Sequence, residues 1–245
     1  MTRAFRLVVA YDGTAYSGWQ VQPGRQTVQG LVAGAARTLL GDAVRVTGAS
    51  RTDAGVHALR QVVSIQRARE LSADVVRRAL NATLPRDIRV VTCAAADEGF
   101  DARRAATGKR YGYLLEDGRT PSPFLLRYAW HLPLPLDVER MRQALEPLRG
   151  RHDFGAFCAA PGREHEPTCT VRALHVLRRR ERIAVLVSGD RFLHHMVRNI
   201  VCSAVEVGRG AREPAWLREV LAGRDRRRAG PTAPAHGLTL LRVVY

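Results

Sequence analysis

The sequence predicts an α+β fold of two similar, ferredoxin-like halves, with a mixed, mostly antiparallel sheet, helices on one side and a central cleft. Three observations predict it. Short β-rich runs alternate with amphipathic stretches of helical period in the order β-α-β-β-α-β across residues 5–96. The theme returns after residue 106, where Asp117-Gly118-Arg119-Thr120 echoes the Asp12-Gly13-Thr14 turn that ends the first strand. Apolar residues fill 46% of the 245 positions, enough for a packed core, and no apolar run is long enough to span a bilayer.

Phe5–Tyr11 reads as a strand closed by the turn signal Asp12-Gly13-Thr14. Thr27 stands where it can cap a helix to Leu40, with Val28, Leu31, Val32, Ala35, Ala36 and Leu39 on one face and Gly41 past the end. Ala43–Thr47 and Gln61–Ile65 are apolar runs on either side of a loop. Ser72 caps a second helix to Leu80, and Asp74 lies in its first turn, where the helix dipole favours an anion. Ile88–Ala96 is a strand. This order is that of a ferredoxin-like or RNA-recognition-type sandwich. In the second half Thr107–Glu116 reads as a strand, Asp137 caps a helix to Leu148, and Val171–Arg180 with Arg182–Val187 forms a hairpin. A helix over Phe192–Val207 ends at Gly208, Glu213–Leu221 is a short helix, and Leu238–Tyr245 is a closing strand. The expected division is residues 1–105 and 106–245, and two facing halves would leave a cleft of the kind that holds ligands.

Charge supplies the next clue. The chain carries 39 Lys and Arg against 23 Asp and Glu, a formal net charge of +16. Such an excess points to a polyanionic partner, because each neutralised phosphate releases counterions. Every basic residue except Lys109 is Arg; coding bias explains Arg in place of Lys but not the excess of bases over acids. No basic amphipathic helix points to a membrane surface. Met1–Arg6 runs into the first strand without a cleavage-site pattern, and Cys93, Cys158, Cys169 and Cys202 are irregularly spaced. Both features suit free thiols and a cytoplasmic location.

The densest chemistry lies in Gly48-Ala49-Ser50-Arg51-Thr52-Asp53-Ala54-Gly55-Val56-His57-Ala58, between two apolar runs. A turn needs Gly and can use Asp or Ser, but it does not need Arg51 and His57 around Asp53. Functional residues concentrate on loops held by a rigid scaffold, so Asp53 is a candidate site residue. Gly108-Lys109-Arg110-Tyr111-Gly112-Tyr113 sets two tyrosines on one face of a strand beside two cations. Packing is the ordinary role of such a pair, and at most one is a stacking surface for a base. In Phe192–Val201, Arg198 lies on an apolar helix and needs a carboxylate partner, for which Asp53 is a candidate. On a helix, adjacent His194 and His195 would point about 100° apart and could not share one ion. His152, Cys158, His165 and Cys169 match no zinc-knuckle spacing, and Arg224–Arg228 reads as a solvated basic patch.

Five segments in order resemble the tRNA pseudouridine synthase A family: Tyr11-Asp12-Gly13-Thr14 with Gly18-Trp19-Gln20, the Asp53 loop, Lys109–Tyr113, Phe192–Asn199, and Pro231–Leu238 with the ending Val243-Val244-Tyr245. One departure is Cys169 before Thr170-Val171, where the family often has Arg. The resemblance implies isomerisation of uridine to pseudouridine at positions 38, 39 and 40 in the anticodon stem and loop of tRNA. It implies Asp53 as nucleophile, Arg198 as its ion-pair partner, Tyr111 as the residue stacking on uracil, and Arg51 as an aid to base extrusion. It further implies that no cofactor or metal takes part, that tRNA is the partner, and that the enzyme is a homodimer with no membrane association.

Overall fold

The structure is a computed structural model and describes residues 3–69, 71–159 and 166–245. Two compact units make up the chain: Met1–Thr107 together with Thr239–Tyr245, and Gly108–Leu238. The first unit runs β1 (Arg3–Tyr11), α1 (Val28–Leu40), β2 (Arg45–Gly48), β3 (His57–Ala68), α2 (Ala73–Thr83) and β4 (Ile88–Ala96). The second runs β5 (Gly108–Asp117), β6 (Trp130–Leu132), α3 (Val138–Leu145), β7 (Gly150–Asp153), β8 (Thr168–Arg179), β9 (Arg182–Gly189), α4 (Met196–Gly208) and α5 (Trp216–Gly223). The last strand, β10 (Leu238–Val244), returns to the first unit.

In the first unit β1 lies antiparallel between β4 and β3, and β2 continues the sheet beyond β3. This β4-β1-β3-β2 order, with its β-α-β-β-α-β chain order, is the ferredoxin-like arrangement expected. The closing strand pairs parallel with β3 through Thr239↔His57 and Leu240↔Ala58, whereas chain order had grouped it with residues 106–245. Alternation on β1 buries Phe5, Leu7, Val9 and Tyr11, while Arg6, Val8 and Ala10 stay half-buried. Thr27 Oγ1 accepts the Gly30 N–H at 3.3 Å, and Gly41 beyond the helix takes φ 103°. The buried face of α1 is Val28, Val32, Ala33, Ala35, Ala36 and Leu40; Leu31 and Leu39 fall to its half-buried flank.

The second unit is a sheet in the order β5-β9-β8-β7, all antiparallel, with β6 added parallel to the end of β5. The three-residue β6 and four-residue β7 were not foreseen, because so few residues show no alternation to read. Asp137 caps α3 as expected, accepting from the Glu139 and Arg140 N–H groups. The regular helix stops at Leu145, short of Leu148, and its tail tightens into a single 3₁₀ turn over Glu146–Leu148. Pro147 lies in that turn and has no N–H to continue the helical ladder. α4 starts at Met196, four residues later than expected, because His195 takes a left-handed φ of 60°.

A buried carboxylate paired with a half-exposed arginine links β5 to β8. Asp117, at the end of β5, receives Arg178 of β8 at 2.5 and 3.0 Å, and also the Leu136 N–H at 2.7 Å. The Asp117 side chain is only 1% exposed, so loss of Arg178 would strand a charge in the core.

Two glycines should respond oppositely to alanine. Gly34 lies on the exposed side of α1 with open space where a Cβ would sit. Gly34→Ala should therefore raise stability by up to about 1 kcal/mol through helix propensity. At Gly48, which ends β2, a Cβ would fall 2.4 Å from the Trp19 ring. Gly48→Ala should lower stability by about 1–3 kcal/mol as an overpacked contact. Urea unfolding midpoints of the two variants check both signs.

Candidate active site

Asp53 sits on the segment 49–56 that joins β2 to β3. Its neighbours are fixed before and after it. Ala49 N–H donates to the Val62 carbonyl, and Gln61 grips Ser50 twice, its Nε2 donating to the Ser50 carbonyl at 2.6 Å and its Oε1 accepting the Ser50 N–H at 3.2 Å. Thr52 is held by its hydroxyl, 2.7 Å from the Tyr11 hydroxyl, and by its carbonyl, which accepts the Trp19 N–H at 3.0 Å. Past Asp53, the Val56 N–H returns to the Asp53 carbonyl at 3.2 Å, and Gly55 supplies the positive φ of 77° that a type II turn requires at its third residue. His57 opens β3 fully buried and accepts the Gly13 N–H on Nδ1 at 3.0 Å.

The approach of residues 13–19 to this loop is close enough to demand glycine. A Cβ on Gly13 would lie 2.0 Å from the Val56 carbonyl oxygen. One on Gly18, which has φ 87°, would lie 2.7 Å from the Thr52 oxygen. Thr52 and Val56 are buried as a result, while Asp53 remains half-buried and Arg51 and Ala54 exposed. The carboxylate is thus presented from a rigid backbone. Sequence reasoning did not single out Tyr11, Trp19 or Gln61 as supports of the loop. A glutamine beginning the mostly apolar run 61–65 was the available signal.

Tyr111, Arg198 and Lys109 belong to the second unit. Tyr111 lies opposite Val187 in the β5–β9 ladder, 6% exposed, with its ring edge-to-face against Phe192 at 5.3 Å. Tyr113 is wholly committed to packing. Its hydroxyl donates to the Pro234 carbonyl at 2.7 Å, and Gly237 lies so near its ring that a Cβ would come within 2.5 Å. Burial pushes the Tyr113 hydroxyl pKa upward, and the nearby Arg198 charge acts against that rise. Of the two tyrosines, Tyr113 is therefore the structural one.

Arg198 is half-buried near the start of α4, more open than a residue buried in an apolar stretch would be. Its Nε donates to the Ala233 carbonyl at 2.8 Å. The chain reaches α4 by way of Asp190, whose carboxylate accepts N–H groups from Thr170 and Arg191 at 2.8 and 2.6 Å. Burial would raise the Asp190 pKa, but these hydrogen bonds outweigh it and hold the carboxyl below its usual range. The left-handed turn at His195 brings the His194 and His195 rings to 3.8 Å between centroids. The 100° separation expected of helical neighbours does not hold, because both precede the helix. His152 gives Nε2 to the Arg149 carbonyl contact at 2.7 Å; His165, grouped with it by sequence, lies outside the described residues.

The family model described as tRNA pseudouridine synthase matches residues 7–103 and 144–245. A protein from Myxococcus xanthus called tRNA pseudouridine synthase A is 44% identical over 241 residues, covering 98% of this chain and 91% of its own length. One of the same name from Brevibacillus brevis is 44% identical over 243 residues, covering 99% of this chain and all of its own. Another from Latilactobacillus sakei is 40% identical over the whole of both chains.

The Gln61 grip on Ser50 has a measurable consequence. Gln61→Met keeps the volume but removes both side-chain partners of the Ser50 backbone. It should cost about 1–3 kcal/mol in chemical denaturation, the penalty for buried polar groups that lose their partner. Hydrogen exchange at the Ser50 amide should quicken at the same time. Unchanged exchange there would mean that the loop is held without Gln61.

Proposed function

The chain belongs to the tRNA pseudouridine synthase family and is an isomerase acting on tRNA uridine; within that activity, we propose that it converts uridines 38, 39 and 40 of the anticodon stem and loop, with Asp53 as nucleophile. The observation that carries this reading is the half-exposed Asp53 carboxylate on a loop braced on both sides of it. The isomerisation breaks the N1–C1′ bond of uridine, turns the base, and joins C5 to C1′. The C5 proton leaves and N1 regains one, so the reaction is balanced without an external oxidant or reductant.

Each of the other residues answers a physical need of that reaction. A nucleophilic carboxylate must be ionised, and we assign Arg198 as the cation that keeps it so. A base out of its stack costs a few kcal/mol, which stacking and phosphate contacts must offset. Tyr111 supplies the stacking ring, since Tyr113 is committed to Pro234 and Gly237. Arg51, exposed two residues before Asp53, assists extrusion of the base. The net charge of +16 suits a tRNA partner. No helix among the described residues is long and apolar enough to cross a membrane. A homodimer acting in the cytoplasm completes the reading.

Asp53→Asn keeps shape and hydrogen bonding but removes the nucleophile. It should abolish pseudouridine formation at all three positions of tRNA while binding changes by a few fold at most. Tritium release from uridine C5 and mapping of each position measure this. Activity above a few per cent of wild type would remove Asp53 from the role, whereas a pure RNA-binding protein would lose nothing.

Tyr111 separates stacking from packing. Tyr111→Phe retains the ring and should bind tRNA nearly as wild type, while Tyr111→Leu should lose about 1–3 kcal/mol of binding. Equal affinity in wild type and the Leu variant, measured by filter binding, would assign Tyr111 to the core alone.

A further inference from the structure

Helix α4 is apolar over most of its length, with Met196, Val197, Ile200, Val201, Cys202, Ala204 and Val205 all buried. Two polar side chains, Asn199 and Ser203, are nonetheless fully buried among them. Burying an amide is costly unless its groups are paired, so what Asn199 bonds to says why it is there. Its Nδ2 donates to the Phe157 carbonyl at 2.7 Å. Its Oδ1 accepts the Thr232 hydroxyl at 2.7 Å and Arg226 Nη2 at 3.2 Å.

These partners converge on residues 230–234, a stretch without helix or strand. Gly230 N–H donates to Ser203 Oγ at 3.0 Å, and that hydroxyl donates to the Asn199 carbonyl at 2.8 Å. Arg226 Nη1 donates to the Gly230 carbonyl at 2.9 Å. The next residues face Arg198. The Ala233 carbonyl takes the Arg198 Nε–H at 2.8 Å, and the Ala233 N–H returns to the Arg198 carbonyl at 3.4 Å. Two adjacent helix residues, Arg198 and Asn199, thus grip two adjacent loop residues, Ala233 and Thr232.

We infer that Asn199, Thr232 and Arg226 are positioning residues for Arg198: they pin residues 230–233 so that the Ala233 carbonyl fixes the guanidinium by its Nε edge. This rests on the reading of Arg198 as the partner of the nucleophilic carboxylate. A free Arg side chain gives up rotamer entropy on pairing, and an anchored one loses less when it meets its carboxylate. Engagement of Nε also selects the geometry. A carboxylate can then be met in bidentate fashion only end-on, through the two terminal nitrogens. An unpaired irregular segment could not hold Ala233 to that register, and the buried amide and hydroxyls do so instead.

Thr232→Val removes the hydroxyl at a half-buried position and keeps the shape, so the variant should fold. Single-turnover rates with enzyme in excess over tRNA, taken in a cycle with Arg198→Met, test the coupling. Thr232→Val should lower the rate constant by about 10- to 100-fold with tRNA affinity changed less than about threefold, since small misplacements cost that much. Thr232→Ser should recover most of the loss. In the Arg198→Met background Thr232→Val should add nothing, because its only route to the chemistry is gone. Additive losses, or a loss in affinity rather than rate, would overturn the inference. A second readout needs no turnover: the Arg198 Nε–H resonance of tRNA-free protein, identified by its disappearance in Arg198→Met, should exchange at least about tenfold faster in Thr232→Val. Unchanged exchange overturns the positioning role. Normal activity of Arg198→Met would instead overturn the reading on which it rests, and the exchange result distinguishes the two failures.

Discussion

Thr52 is held at its hydroxyl by Tyr11 and at its carbonyl by the Trp19 N–H, and the presentation of Asp53 depends on that double hold. In the role proposed for Asp53, a carboxylate faces opposing demands. It must be open enough to meet a substrate, yet its backbone must not spend binding energy on being ordered. The first unit meets both by burying the residues on either side and leaving Asp53 half-exposed. The bracing comes from β1, β3 and the segment after β1, and it works only because Gly13 and Gly18 let two backbones approach to a distance no Cβ allows. Stiffness is built into the neighbours rather than into Asp53 itself.

The second unit applies the same economy to a cation. The Ala233 and Pro234 carbonyls, consecutive in the chain, receive Arg198 and Tyr113. The segment that bears them has no ladder of its own and is positioned by polar side chains buried in an apolar helix. Such networks cost stability unless every member is paired, and Asn199 is paired at both its oxygen and its nitrogen.

Arginine carries much of this architecture, which changes how the charge is to be understood. Arg178 neutralises Asp117 inside the second unit, and Arg142 and Arg149 donate to the Val176 and Leu174 carbonyls along β8. Arg226 is an internal brace, while Arg224, Arg227 and Arg228 stay exposed as the solvated patch that the composition suggests. A guanidinium has enough donors to satisfy carbonyls that a lysine would leave short. The excess of bases over acids still favours a phosphate-rich partner, but not every arginine is available to it.

Local chemistry made much of the fold legible. Thr27, Ser72 and Asp137 each cap the helix they precede, because a side-chain oxygen beside free N–H groups acts within a few residues. The strand alternation of β1 and the β8–β9 hairpin were equally readable, as was the Asp53 loop, whose ionisable groups are contiguous in the chain. The C-terminal end of α3 and the start of α4 were not, since Pro147 and the left-handed His195 act against an otherwise helical pattern. The sequence by itself determined the element order of the first unit, the family and the identity of the candidate residues. Tertiary structure alone decided that β10 belongs beside β3, that the Tyr113 hydroxyl is committed to the Pro234 carbonyl, and that Ala233 holds Arg198. Those are contacts between residues 35 to 182 positions apart, where no periodicity or cap leaves a trace in the chain and only the packed fold selects the partner.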